Sequence, residues 1–453
     1  MPHHVPTNLS RIAAILGSFD AHNSPRRSAE IVAEVGMSIG TGYGLIRALV
    51  KTGWLVRVDH GWIAIGPRAR ELMYGPLEPA AALSDAPAVI AFKERKVRES
   101  DEQTQIGETW RPDLTEVVET SHFALSRPVR IGFANASLSN SWRLGLLASM
   151  EYARRLNDKR IADFIKLSAD DDASRQTAQI DTLVASGIDL LIVSCPNINN
   201  PALNDQLLAL SKQGLPIVAL DRRPKDPSSL ISFVTASDSR IGRMTAQWMV
   251  EKLKPGSRIW MLSGIEGASP AIRRQSAALT VFSNSPGVIV EAVSSTDWTE
   301  AGGYKAVDRL LEQSDGRLPD GVWCDSGLQG VGSLRRFLKH GGTIPAHTGG
   351  DLNGMYKLVL HHKLPFVAVD YPAAMGARAI EVALDVLSGR PVRRRVEVAA
   401  PVVMPRGMET PTIRADIWAE AHVRWDLPDE AILSQGPSLR DVKPANVTRR
   451  PVR

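Results

Sequence analysis

Between Val129 and about residue 400, short apolar runs alternate with stretches of helical period, and this alternation is the strongest constraint on the fold. Val129-Arg130-Ile131-Gly132-Phe133, Leu190-Leu191-Ile192-Val193 and Ile217-Val218-Ala219-Leu220 are near-continuous apolar runs. Between them lie a helix from Trp142 and another through Gln176, Ile180 and Leu183. Strands that are apolar at consecutive positions are buried on both faces, so they belong to parallel sheets covered by helices on each side. The pattern restarts after Asp221, with Ile259-Trp260-Met261-Leu262, Val288-Ile289-Val290, Val322-Trp323-Cys324 and Phe366-Val367-Ala368-Val369. Two α/β lobes follow, each near the size of one doubly wound domain.

The first 75 residues obey a different rule. Ile12, Ile15, Leu16 and Phe19 fall at helical spacing, and Ile31, Val32 and Val35 share one face of a second helix stopped by Gly36. A third helix runs from Ser38 to Val50 and ends at Gly53. Trp54 to Val58 and Trp62 to Ile65 then form a hairpin about Asp59-His60-Gly61. Helices joined by a tight glycine turn and followed by a hairpin make a winged helix-turn-helix. In such a module the third helix enters the major groove and the wing lies near the backbone. Ser38, Thr41, Tyr43, Arg47 and Lys51 are the expected DNA contacts on the helix, with Arg57 and His60 on the wing. Gly40, Gly42 and Gly44 lie inside that helix, each costing about 0.8–1.0 kcal/mol relative to Ala. Either packing overrides the penalty or DNA orders the helix. Their spacing does not fit a dinucleotide-binding turn, nor does a strand precede them.

Charge agrees with this division. Of the net +5, residues 1–75 carry +3 and residues 436–453 carry +4, leaving the long middle weakly acidic. Contact with a polyanion is thus expected at the ends. Residues 76–127 mix proline, alanine and charge runs without sustained period and read as a linker, with a helix near Ala88 to Glu99. From about Ser434 the chain is polar, basic and proline-containing, so the extension over 411–453 is expected to be partly disordered. No basic segment followed by an apolar core opens the chain, and no run approaches the roughly 18 apolar residues of a membrane span. The two cysteines, Cys195 and Cys324, each close an apolar strand, which fits a reducing cytoplasm rather than a disulfide framework.

Residues 1–75 resemble the DNA-binding domain of IclR-type transcriptional regulators. Ser10-Arg11-Ile12, Ala29-Glu30-Ile31-Val32, Leu45-Ile46-Arg47-Ala48-Leu49 with Gly53, and above all Trp62-Ile63-Ala64-Ile65-Gly66-Pro67-Arg68 carry the likeness; the glycine-rich stretch departs from it. Residues 128–410 are similar instead to type 1 periplasmic sugar-binding proteins, such as ribose-binding proteins and the effector domains of lactose-repressor-like regulators. Here the carriers are Asn140-Ser141-Trp142-Arg143, Ile217 to Arg222, Ala236 to Gly242, and Gly349-Gly350-Asp351. The resemblance implies a two-lobed sensor closing about hinges near 221–237 and 351–372. It also implies a ligand site including Asn140, Trp142, Arg143, Asp221, Arg222 and Asp351, and a homodimer. Either Arg273 or Arg274 stands where that family has a further guanidinium, and Asp370 stands where the ribose-binding relatives usually have an amide.

Elementary chemistry points the same way. Ligands of open α/β sheets bind outside the carboxyl ends of the strands, where Asp221, Arg222, Asp325, Asp351 and Asp370 all fall. Carboxylates accept hydroxyl donors, arginine presents a fork of donors, and Trp142 can cover the C–H face of a sugar ring. Trp298 reads as a packing residue at a helix start. His361-His362 and Asp170-Asp171-Asp172 lack partners at metal-ligand spacing, and no nucleophile elbow, phosphate loop or Cys/His constellation is present. The expectation is a cytoplasmic, non-enzymatic regulator without cofactor. It would bind operator DNA through a winged helix-turn-helix and a small carbohydrate or polyol effector between two α/β lobes. The alternative is a solute-binding protein of a sugar transport or chemotaxis system.

Overall fold

The computed structural model describes residues 7–19, 26–59, 62–66, 69, 114–285 and 287–444. The N-terminal head comprises α1 (Thr7–Gly17), β1 (Arg26–Arg27), α2 (Ser28–Glu34), α3 (Ile39–Lys51), β2 (Leu55–Asp59) and β3 (Trp62–Ile65). Both β1 and β2 pair antiparallel with β3, closing a three-stranded wing. Ile15, Ile31, Val32, Ile46, Leu49, Leu55, Ile63 and Ile65 form its buried core. Gly36, at φ +65°, supplies the left-handed turn between α2 and α3.

The glycines of α3 divide by environment. A Cβ at Gly42 would stand 2.5 Å from a Val32 methyl, whereas one at Gly40 or Gly44 meets nothing within 4 Å. Packing of α2 on α3 therefore accounts for Gly42, and the other two face outward. Gly44→Ala should slow amide hydrogen exchange in α3, since it removes about 0.8–1.0 kcal/mol of helix penalty without a clash. Gly42→Ala should speed it, because overpacking costs about 1–3 kcal/mol; equal effects would contradict the division.

Strand β4 (Val117–Val118) lies within the segment expected to be linker, yet it pairs antiparallel with β15 (Val392–Arg393). The thiol-free stretch after it is tied down as well: the Leu125 amide donates to Leu387 O at 2.9 Å. The α/β body thus begins near residue 114 rather than 128. The expected helix at 88–99 lies outside the described residues.

Lobe 1 contains β5 (Val129–Asn135), α4 (Ser141–Leu156), β6 (Ile161–Ser168), α5 (Ala173–Ala185), β7 (Leu190–Val193), α6 (Pro201–Lys212), β8 (Ile217–Leu220) and β9 (Ser232–Thr235). With β16 (Arg395–Glu397) they form a six-stranded parallel sheet in the order β16-β9-β8-β7-β5-β6. Lobe 2 contains α7 (Asp238–Lys252), β10 (Ser257–Ser263), α8 (Ser269–Ser283), β11 (Val288–Ser295), α9 (Glu300–Gln313), β12 (Gly321–Cys324), α10 (Gly327–His340), β13 (Ala346–Gly349), α11 (Asn353–His362) and β14 (Phe366–Val369). Its sheet runs β11-β10-β12-β13-β14-β17-β18, with β17 (Val402–Met404) antiparallel to β14 and parallel to β18 (Ile417–Trp418). Every residue of β7, β8, β12 and β14 is buried, as the unbroken apolar runs require.

The chain passes between lobes after β9, again from β14 to α12 (Met375–Val386) on lobe 1, and from β16 to β17. Sequence reading anticipated the first two. Beyond β18, α13 (Ala419–His422) and a 3-10 turn over Gly436–Asp441 keep the extension ordered through residue 444. The expected disorder is corrected to that extent: Ile432, Leu433, Gln435 and Ser438 are all buried.

Deep in lobe 2, His347 is fully buried, its Nδ1 2.8 Å from Pro345 O and its Nε2 2.9 Å from Ser333 Oγ. Desolvation pulls its pKa from 6.5 down to about 4, against the raising effect of the Pro345 carbonyl. Below pH 6.5 the unfolded imidazole takes up a proton that the folded one refuses, so stability falls as pH drops from 6.5 towards 4. The loss amounts to about 3 kcal/mol. Urea titrations of His347→Asn and the parent chain at pH 7 and pH 4.5 should show this slope only in the parent; parallel slopes would contradict it.

Candidate functional site

The carboxyl ends of both sheets face a narrow cleft. In lobe 1 the strand order reverses between β5 and β7, and in lobe 2 between β10 and β12, so loops diverge at those points and leave a crevice. Asn140 caps α4, its Oδ1 accepting the Arg143 amide at 3.0 Å, and this cap sets Trp142 and Arg143 at the cleft mouth. Asp221 turns out of β8 with φ +63°, and Asp351 follows β13 with φ +71°. Asp tolerates that left-handed conformation better than most residues, and it swings both carboxylates towards the opening.

The lobe 1 wall is an ionic network. Arg143 Nη2 lies 2.8 Å from Asp221 Oδ2, and Nη1 donates to Ser194 Oγ at 3.0 Å. Arg222 Nη1 donates to Asp171 Oδ1 at 2.8 Å, while its Nε lies 3.8 Å from Asp221 Oδ2 and makes no hydrogen bond among the described residues. Burial, and then the neighbouring Arg222 charge, draw the Arg143 pKa down to about 10, although Asp221 opposes both.

Lobe 2 supplies Arg274, whose Nε donates to Asp238 Oδ1 at 2.8 Å and whose Nη1 donates to Asp325 O at 3.2 Å. Burial alone would lower its pKa, but Asp238 and Asp325 together hold it above the ordinary arginine value. Arg274 lines the cleft; Arg273 is half-buried and does not.

Two aromatic residues that sequence reading did not nominate complete the cleft. Tyr371, on the second interlobe passage, donates its hydroxyl to Asp221 Oδ1 at 2.9 Å and stacks on Trp142 with centroids 5.1 Å apart. Trp142 Nε1 in turn donates to Tyr371 O at 2.9 Å. Trp298, read as packing, lines the cleft, and its Nε1 donates to Asp325 Oδ1 at 2.9 Å. A Cβ at residue 264 would sit 1.9 Å from the Trp298 ring, so only glycine there admits the indole. The cues in sequence were slight: a Tyr directly after a strand-end Asp, and an Asp-Trp pair in a loop.

Not every strand-end carboxylate reaches the opening. Asp370 is wholly buried behind it, accepting from the Tyr356 hydroxyl, from the Asp351 amide at 2.7 Å, and bonded to His422 Nε2 at 2.7 Å. Asp325 faces Trp298 and Gln329, and its Oδ2 has no partner among the described residues. Asp351 Oδ1 likewise has no partner among the described residues, and desolvation together with the Asp370 charge raises the Asp351 pKa well above its ordinary value. The cleft therefore presents aromatic faces, guanidinium groups and carboxyl groups, and each arginine charge already has its own acidic partner. That combination suits a compact, uncharged, polyhydroxylated molecule.

On the head, Ser38, Thr41, Tyr43, Arg47, Lys51 and Arg57 are all exposed. Tyr43, Arg47 and Lys51 recur every four residues and so share one side of α3. Ser38 Oγ donates to Thr41 Oγ1 at 2.9 Å, bracing the first turn. His60 lies outside the described residues. Among the described residues, no group of three His, Cys, Asp or Glu side chains converges as a metal site.

A family model of the periplasmic binding protein domain matches residues 131–391. The chain belongs to this family. Its periplasmic binding protein domain is joined to an IclR helix-turn-helix domain, matched over residues 8–59. Both are binding modules, one for DNA. Over 268 residues the chain is 23% identical to the ribose import binding protein RbsB of Bacillus subtilis, covering 59% of this chain and 84% of that protein. It is 26% identical over 216 residues to a xylitol-binding protein of Mycolicibacterium smegmatis, covering 47% of this chain and 59% of that one. Solved structures share the fold. A solute-binding protein from Mycobacterium smegmatis with bound glycerol superposes with a TM-score of 0.56 at 19% identity, over 61% of this chain and 93% of that one. One from Bacillus halodurans with bound myo-inositol gives 0.56 at 18% identity, over 63% and 96%. No helix among the described residues is long and apolar enough to cross a membrane.

Removing one member of the Arg143–Asp221 pair leaves a buried charge uncompensated. Asp221→Asn, which keeps the left-handed backbone tolerable, should destabilise the α/β body by about 3–5 kcal/mol in urea. A loss below 1 kcal/mol would mean that water already screens the pair.

Proposed function

We propose that the chain is a transcriptional regulator whose periplasmic binding protein domain senses a small, neutral carbohydrate or polyol. Operator DNA is bound by α3 and the wing, through Ser38, Thr41, Tyr43, Arg47, Lys51, Arg57 and His60. Effector is held by Trp142, Asp221, Arg222, Arg274, Asp351 and Tyr371, with Asn140 and Arg143 fixing the lobe 1 wall. The observation that carries this reading is the cleft: its arginines are individually paired with carboxylates, and the Arg222 and Arg274 guanidinium groups lie beside the Trp298 and Tyr371 rings. That is poor for a phosphate and good for hydroxyl groups above a C–H face. The relatives are named for ribose and xylitol, which supports the class. The protein acts in the cytoplasm as a homodimer, whose two heads meet two half-sites. Closure about the interlobe passages changes the spacing of those heads.

Two tests address the two halves of the proposal. In a thermal-shift panel of ribose, xylitol, glycerol, myo-inositol and ribose 5-phosphate, a neutral compound at 100 times its Kd should stabilise the chain by about 2.7 kcal/mol. The phosphate should give no shift; a shift only with the phosphate would overturn the ligand class. In a mobility-shift titration with its upstream DNA, affinity should fall steeply with salt. Arg47→Ala should weaken binding by about 1–3 kcal/mol, and unchanged affinity would remove α3 as the reading helix. The names of the import relatives favour a second reading, a transport solute-binding protein. Absence of any DNA shift together with recovery in the periplasm would support that reading instead.

A further inference from the structure

The three passages described so far account for the two-lobed body, and residues 392–444 lie beyond the part matched by the family model. The chain then crosses the cleft region once more. After α13 it is anchored on lobe 2, where Asn353 Nδ2 donates to Arg424 O, Leu427 O and Pro428 O at 2.6, 3.2 and 3.0 Å. The Leu433 amide donates to Asp351 O at 2.9 Å, and Ile432 bridges to Leu352. Ser434 Oγ donates to Tyr371 O at 2.9 Å, and Ser434 O accepts the Ala374 amide at 2.9 Å. The segment then lies on α4 of lobe 1. A Cβ at Gly145 would stand 3.0 Å from Gln435 Oε1 and 3.1 Å from Ile432 Cβ, and Arg155 pairs with Asp441 further along.

We propose that residues 431–441 form a fourth interlobe connection, a strap that joins α4 to the backbone of Asp351 and Tyr371 and limits how far the cleft opens. Both walls of the cleft are thereby bound to one piece of chain. Trp142 and Arg143 stand at the start of α4, within one turn of Gly145, while Asp351 and Tyr371 are hydrogen-bonded to the strap directly. Slack is small. From Leu433, bonded to lobe 2, to Gly436, where the turn on α4 begins, three residue steps span at most about 11 Å when fully extended. Wide opening thus requires the strap to leave either α4 or Asp351. Burial of Ile432 and Leu433 opposes that release. The strap acts whatever the ligand and whether or not the head binds DNA.

The test measures inter-lobe distance in the full chain without ligand. Spin labels on cysteines replacing the exposed Lys212 of lobe 1 and Lys339 of lobe 2 report it by pulsed electron resonance; native Cys195 and Cys324 are buried. The intact chain should give one narrow distribution. A chain ended after Glu430 should give a broader one with a component several ångström longer. Gly145→Leu, which retains every strap residue but drives a side chain into Ile432 and Gln435, should shift the same way. If the shortened chain loses native circular dichroism, Gly145→Leu decides. Distributions superposing on that of the intact chain would overturn the strap.

Discussion

Tyr371 is the point at which the two lobes become one site. It belongs to neither sheet, lying on the passage from β14 to α12, yet its hydroxyl donates to Asp221 of lobe 1 at 2.9 Å. Trp142 stacks on its ring, and the Arg274 guanidinium of lobe 2 lies 4.1 Å from the ring centroid. Its carbonyl receives both Trp142 Nε1 and Ser434 Oγ. A buried phenol costs free energy unless its hydroxyl is bonded, and an acidic partner bonds it more strongly than a neutral one. The Asp221 carboxylate in turn is tolerable in the interior only because Arg143 neutralises it. Each member of this group is thus buried on condition that the next is present.

The same condition shapes what the cleft can accept. Arg143, Arg222 and Arg274 are nearly inaccessible to solvent, and each has a carboxylate within 2.8 Å. A phosphate entering such a site would compete with those carboxylates for donors already used. A hydroxyl needs no counter-charge, and both Asp351 and the Arg222 side chain line the cleft.

The fold was legible in sequence because periodicity reports burial directly. Runs such as Leu190-Leu191-Ile192-Val193 have no polar face, and every residue in that strand is buried. Gly36 and Gly53 mark turns of the head by their positive φ. The cleft was legible only in outline. Asp351 and Asp370 both follow strands, yet one faces the opening and the other lies behind it, because Tyr356 of the preceding helix and His422, 52 residues on, claim Asp370. Trp298 looked like packing because nothing local shows that Gly264 leaves room for its ring. The C-terminal crossing has no period at all: its order comes from backbone bonds to Asp351 and Ala374, which no side-chain pattern announces.

Sensor and head are useful to one another only if their states are linked, since a ligand shifts an equilibrium by no more than its differential affinity for the two states. The most direct measurement is the Kd of the full chain for its upstream DNA at fixed salt, with and without a saturating concentration of the compound that gives the largest thermal shift. The account requires the two values to differ by about five-fold or more, in either direction. Identical values with the cleft demonstrably filled would contradict it, leaving a binding domain and a DNA-reading head that share a chain without communicating.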